Sequence, residues 1–84
     1  PNPFNGETVI GFALPEPGYV ELAVYDLAGQ RVATLARGHR VAGTYRLQWD
    51  GRDDAGWALA SGMYICRLRA GGQQEQARKL LLLR

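Results

Sequence analysis

Apolar residues recur at every second position along this chain and nowhere at helical spacing, a pattern that restricts it to strands. Thr8, Ile10, Phe12 and Leu14 share one face of a first segment, which Pro15-Glu16-Pro17-Gly18 ends. Val20, Leu22 and Val24 then alternate with Tyr19, Glu21, Ala23 and Tyr25. Asp26-Leu27-Ala28-Gly29-Gln30 reads as a turn, with Gly29 free to take positive φ. Arg31 to Leu35 is expected to be a short strand, and Arg37-Gly38-His39-Arg40 with Gly43 a polar connection. Tyr45, Leu47 and Trp49 alternate with Thr44, Arg46 and Gln48, as in a sheet with one solvated face. Asp50 to Gly56 reads as a loop and Trp57 to Ala60 as a very short strand. Tyr64, Cys66, Leu68 and Ala70 oppose Met63, Ile65, Arg67 and Arg69. Gly71-Gly72 turns the chain, and a last segment from Gln76 to Leu83 sets Leu80 and Leu82 on one face. Six or seven short strands with turn signals about every 8–12 residues predict an antiparallel β-sandwich.

The 84 residues make one domain, 1–84. A chain of this size buries only roughly 60–65% of the surface its unfolded form exposes, so each large apolar residue matters. Phe4, Phe12, Leu22, Val24, Trp49, Tyr64 and Leu68 are the expected core. Eight acids are interleaved with ten bases, for a net charge of +2, and no single-sign field points to nucleic acid. Cys66 is the only cysteine, which rules out an internal disulfide and a cysteine metal knuckle. No apolar run nears the roughly 20 residues of a helical membrane span.

Few residues suggest chemistry. Asp50, Asp53 and Asp54, with Gly51 and Gly56, are weighed as a calcium loop against a plain Asx-turn loop. Calcium wants six to eight oxygens, usually with a closing bidentate acid. None follows here, and Arg52 intrudes. His39 lacks a second ligand nearby, and Glu7 and Asp26 are isolated acids with nothing to make an acid/base couple. Ser61 lacks the small-residue elbow and a base. Cys66, inside an alternating strand, reads as a buried thiol. The expectation is a domain that is not an enzyme and needs no cofactor.

The order of short motifs carries more. Asn2-Pro3-Phe4-Asn5 opens the chain, followed by Phe12-Ala13-Leu14-Pro15 and Gly18. Val24-Tyr25-Asp26-Leu27, Gly29 and Arg31-Val32 come next, then Ala42-Gly43 and Trp49-Asp50-Gly51-Arg52-Asp53. Gly56, Ser61-Gly62, Tyr64, Arg67-Leu68 and Lys79-Leu80-Leu81-Leu82 complete the series. Over the whole chain this series resembles the type A C-terminal sorting domains of the type IX secretion system of Bacteroidetes-type bacteria. These are related to the immunoglobulin-like domain of the flagellar hook-capping protein. Three positions depart from the pattern: Gly6-Glu7 stands where Pro-Ser is more usual, Cys66 where an aromatic is common, and Trp57 where the loop is usually polar.

The resemblance implies an immunoglobulin-like sandwich that directs a covalently linked N-terminal passenger through the periplasm. The passenger then crosses the outer-membrane secretion machinery to the cell surface or medium. A sortase-like protease would be the second partner. The recognition segment expected on this view is Lys79, Leu80, Leu81, Leu82, Leu83 and Arg84. There a strand edge offers backbone groups for strand addition, and Lys79 and Arg84 flank an apolar run. The same segment also reads as simply the closing strand of the core. The alternative function is an accessory module for carbohydrate or protein, using Trp57, Tyr19, Tyr25, Arg46, Arg67 and Arg69. A third is a structural domain of the hook-cap kind.

Overall fold

The alternating segments pair into two sheets in the structure, a computed structural model that describes residues 3–4, 6–73 and 75–84, with only the backbone of residues 3 and 4. The strands are β1 (Pro3–Phe4), β2 (Thr8–Leu14), β3 (Gly18–Tyr25), β4 (Arg31–Arg40), β5 (Gly43–Trp49), β6 (Gly62–Ala70) and β7 (Gln76–Leu82). One sheet has the order β1-β7-β6-β3-β4 and the other is the pair β2-β5. All pairings are antiparallel except β1 with β7, which run parallel through Pro3↔Leu81 and Phe4↔Leu82. This is an all-β sandwich of the immunoglobulin type. Within the described residues the two-stranded sheet covers a five-stranded one, so the cover is narrower than the surface it shields.

The inner faces are those the alternation marks. Ile10, Phe12 and Leu14 of β2 and Trp49 of β5 meet Val20, Leu22, Val24, Tyr64, Cys66, Leu68, Leu80 and Leu82 in one cluster. The expected core residue Phe4 has a side chain outside the described residues. Phe12 stacks on Tyr45 at 5.1 Å, and Trp49 meets Tyr64 edge-on at 6.1 Å, two arrangements that aromatic quadrupoles favour.

Two strand expectations are corrected. Residues 37–40 are not a connection: β4 runs on through Arg40 and pairs with β3 as far as Gly18↔Arg40. Its register slips twice against β3, leaving Val32 and Leu35 as extra residues. Each bulge resets which side chain faces inward, so Ala33 and Ala36 are buried while simple alternation is lost. Trp57 to Ala60 is not a strand, since only an isolated bridge, Arg52↔Ala58, forms there. The seventh strand is instead β1, at the start of the chain.

Two tyrosines close corners. Tyr64 Oη donates to the Ala60 carbonyl at 2.7 Å, and Tyr45 Oη donates to the Val41 carbonyl. Each bond reaches back four residues to the segment that enters the tyrosine's own strand, the tyrosine-corner device of β-sandwiches. Burial also raises the Tyr64 phenol pKa above its ordinary value, so the ring stays a neutral donor. Trp49→Ala is expected to cost about 3–5 kcal/mol through the cavity it leaves. Tyr64→Phe, which orphans one carbonyl, should cost about 1 kcal/mol. Urea unfolding midpoints of the two variants check both the values and their order.

Candidate functional site

The last strand and the residues beyond it do two separate jobs. Leu80 and Leu82 are buried, at 6% and 0% exposure, because they lie opposite Tyr64 and Gly62 on the core face of β6. Lys79 is exposed and points outward, Leu81 is half-buried, and Leu83 is exposed. Beyond the strand, Arg84 is not a free flanking charge. Its backbone N–H donates to Ser61 Oγ at 2.8 Å, Nε donates to the Leu59 carbonyl at 2.8 Å, and Nη2 donates to the Gly51 carbonyl. Arg84 therefore clasps the loop between β5 and β6.

That loop is built around Gly51, which is buried with φ of +72°. A Cβ there would lie 2.6 Å from Arg84 Nη2 and 3.2 Å from the Gly6 carbonyl oxygen, so only glycine fits. Trp49 Nε1 donates to the Arg52 carbonyl at 3.0 Å, fixing the loop to the core ring. The three candidate calcium acids each accept from backbone N–H groups, Asp50 and Asp53 within the loop and Asp54 from β4. Asp50 Oδ1 accepts from the Arg52 N–H, Asp53 Oδ1 accepts from Ala55 and Trp57, and Asp54 Oδ1 accepts from Thr34 at 2.9 Å. Their carboxylates diverge onto separate backbone groups, and no metal-holding acid, histidine or cysteine cluster occurs among the described residues. Asp54 also donates its own N–H to the Val32 carbonyl at 3.1 Å, so the loop covers part of the outer edge of β4.

The outer face of the large sheet gathers charge. Glu21 lies between Arg31 at 3.0 Å, Arg37 at 3.3 Å and Arg69 at 3.9 Å. The hydrogen bond from Arg31, above all, holds its carboxyl below the usual carboxylate range. The guanidinium groups of Arg31 and Arg67 lie 5.6 and 5.1 Å from the Tyr25 ring centre, and Tyr19 meets His39 edge-on. Of the residues weighed for a carbohydrate face, the structure brings together Tyr19, Tyr25, Arg67 and Arg69. Arg46 is on β5, in the other sheet, and Trp57 is an exposed ring in the loop, at 74%. Tyr25 carries cations against its ring, so the two tyrosines offer no bare platform. Cys66 is buried, and burial pushes its thiol up to about 11; such a thiol is no nucleophile at neutral pH.

Sequence reasoning missed the Arg84 clasp and the Glu21 hub. The hub had a weak signal, an acid in the middle of a strand whose neighbours on both sides are rich in arginine. The clasp had none, because its partners lie 23 to 33 residues away.

The model of the FlgD Ig-like domain family matches residues 2–74. No curated protein matches the chain. Among solved structures, dimeric latent PorU from Porphyromonas gingivalis contains the same fold, with a TM-score of 0.76 and 20% identity over 99% of this chain. The chain spans 9% of the length of that one, and at this identity the likeness is one of fold.

Arg84→Ala and Gly51→Ala should each loosen the loop by about 1–3 kcal/mol, the first through lost charge-assisted bonds and the second through strain. Amide exchange at Leu59, whose N–H donates to the Gly51 carbonyl, should accelerate in both. Acid and alkali should act through different residues. The lowered Glu21 pKa stabilises the fold above the ordinary carboxylate value and is lost as pH falls through the folded value. Glu21→Gln should therefore flatten the acid limb of a stability–pH profile. For Cys66 the unfolded thiol ionises first, so stability should fall between the ordinary thiol pKa of about 8.5 and the folded value of about 11. Cys66→Ala should remove that share of the alkaline limb.

Proposed function

The chain belongs to the FlgD Ig-like domain family, and from that premise we propose that it is a non-catalytic sorting domain of the type IX secretion kind. It would direct a passenger fused to its N-terminal side across the outer membrane to the cell surface or medium. The observation that carries this reading is the motif series itself. Among the described residues its pieces fall at strand ends, turns and core positions of the sandwich. Trp49 and Tyr64 are core rings, Asp50-Gly51 is the loop pivot, and Lys79 to Leu82 lie in the closing strand. A domain of this fold also occurs in PorU of Porphyromonas gingivalis.

Within the candidate segment the roles divide by burial. Leu80 and Leu82 hold the core, and Arg84 holds the loop. Lys79 and Leu83 are the residues open to a receptor, and a sortase-like protease would act upstream of Pro1. No cofactor enters this reading. The second reading, a structural module of the hook-cap kind, draws on the same family membership.

The test is a fluorescent reporter with a periplasmic export signal and this chain at its C-terminus, expressed in a bacterium with type IX machinery. Reporter outside the cell, lost in a secretion-pore mutant, is the expected result. Lys79→Glu should lower export several-fold with an unchanged melting temperature. Reporter retained in the periplasm with the domain folded would reject the sorting reading in favour of the structural one.

A further inference from the structure

The sandwich protects its edges unequally. On the β4 side, Asp54 meets the strand with its own N–H and Oδ1. On the β7 side, β1 covers only Leu81 and Leu82. From Gln76 to Leu80, β7 pairs with β6 alone, and β2 pairs with β5 alone along its whole length. Among the described residues both therefore keep one unpaired edge.

These two edges border the same opening. A slot of about 50 Å³ lies between residues 10–12 of β2 and 76–78 of β7, with Leu22, Cys66 and Leu68 of the core as its floor. Gln76 and Arg78 lie opposite Leu68 and Cys66, two buried residues, so they occupy core-facing positions of β7. They are nevertheless polar and exposed, because the two-stranded sheet does not reach over them. A charge turned inward at a free strand edge is a guard against indiscriminate pairing. It also specifies what can pair, since an apolar strand would bury Arg78 without a partner and an acidic one would not.

We propose that the slot between β2 and β7 is an acceptor site for one extended peptide strand, with small apolar residues at alternate positions and a carboxylate facing Arg78. The strand adds to Gln76–Leu80 and continues the line that β1 starts at Leu81. Its inward side chains enter the mouth of the slot beside Ile10 and Phe12 of β2, and its acid meets the guanidinium of Arg78. A second copy of this chain offering its own β7 edge would bring Arg78 and Lys79 against the same charges, which disfavours self-pairing. The proposal rests on the reading of β7 as the recognition strand and gives that strand a partner chemistry.

The probe is a seven-residue peptide alternating threonine and valine with a central aspartate, titrated into the isotope-labelled 84-residue chain. Amide shifts and exchange protection should concentrate in residues 76–80 and 8–14. Replacing the aspartate by lysine should weaken binding about ten-fold or more, and Arg78→Glu, folded by its amide spectrum, should reverse the preference. A peptide N-methylated at alternate residues should not bind. Absent binding at millimolar peptide, equal affinity for the two peptides, or shifts confined to the arginine-rich outer face would overturn the proposal. So would protection of residues 76–80 that grows with domain concentration alone, which would identify a second copy as the occupant. Export and peptide binding separate the two readings. Binding without export removes the sorting role and keeps the acceptor site; export without binding does the reverse.

Discussion

The indole of Trp49 is the contact on which the rest of this small fold depends. It is 2% exposed, it packs edge-on against Tyr64 of the opposite sheet, and its Nε1 donates to the loop that follows its own strand. One side chain thus joins the two sheets and sets where the polypeptide leaves them. The loop so fixed carries Gly51, which receives Arg84, and Asp54, which covers the edge of β4. In a domain that buries so modest a share of its surface, this nested arrangement replaces the disulfide that many sandwiches place between their sheets. The tyrosine corner at Tyr64 braces the same point from the other side.

The narrow cover has a consequence for the outer surface as well. Two strands cannot shield both faces of five, so one face of the large sheet lies open and is built from arginines around Glu21. A single carboxylate shared among three guanidinium groups orders their side chains without neutralising them. Exposed pairs of this kind add little to stability. Their effect is to keep a wide, flat β-surface charged and so unattractive to other sheets.

The inward faces were legible in the sequence because they depend on period-2 alternation, which survives wherever a strand is covered on one side. Ile10, Phe12, Trp49, Tyr64, Leu68 and Leu82 all follow it. What escaped the pattern has physical causes. Beyond its two bulges at Val32 and Leu35, β4 continues as a polar edge strand, so residues 37–40 look like a loop in composition while pairing as a strand. The two-residue β1 is too short to carry any period. Trp57 looks like a strand residue by type, yet its own N–H and carbonyl are tied to Asp53 in a turn. At the end of the chain, where the candidate site lies, the closing strand was legible, but the division of labour among its residues was not. Nothing in Lys79 to Arg84 tells that the last arginine reaches back across the fold. The polar residues Gln76 and Arg78 at core-facing positions mark an uncovered stretch only through their pairing with Leu68 and Cys66.

The register of β7 lets one strand close a core along one half and keep a free edge along the other. Successive side chains of β7 face opposite ways, and its core-facing row changes character halfway, from Gln76 and Arg78 to Leu80 and Leu82. The apolar half is locked beneath β2 and β5, flanked by β1 and followed by the Arg84 clasp, so it cannot be exchanged without unfolding the domain. The polar half contributes backbone pairing to β6 and little burial, so it can gain a neighbour without losing one. Selection acting on stability would act mainly on the upper residues, and selection acting on recognition mainly on the lower ones. On the proposed reading the two demands would meet on adjacent positions of a single strand without competing for the same side chains.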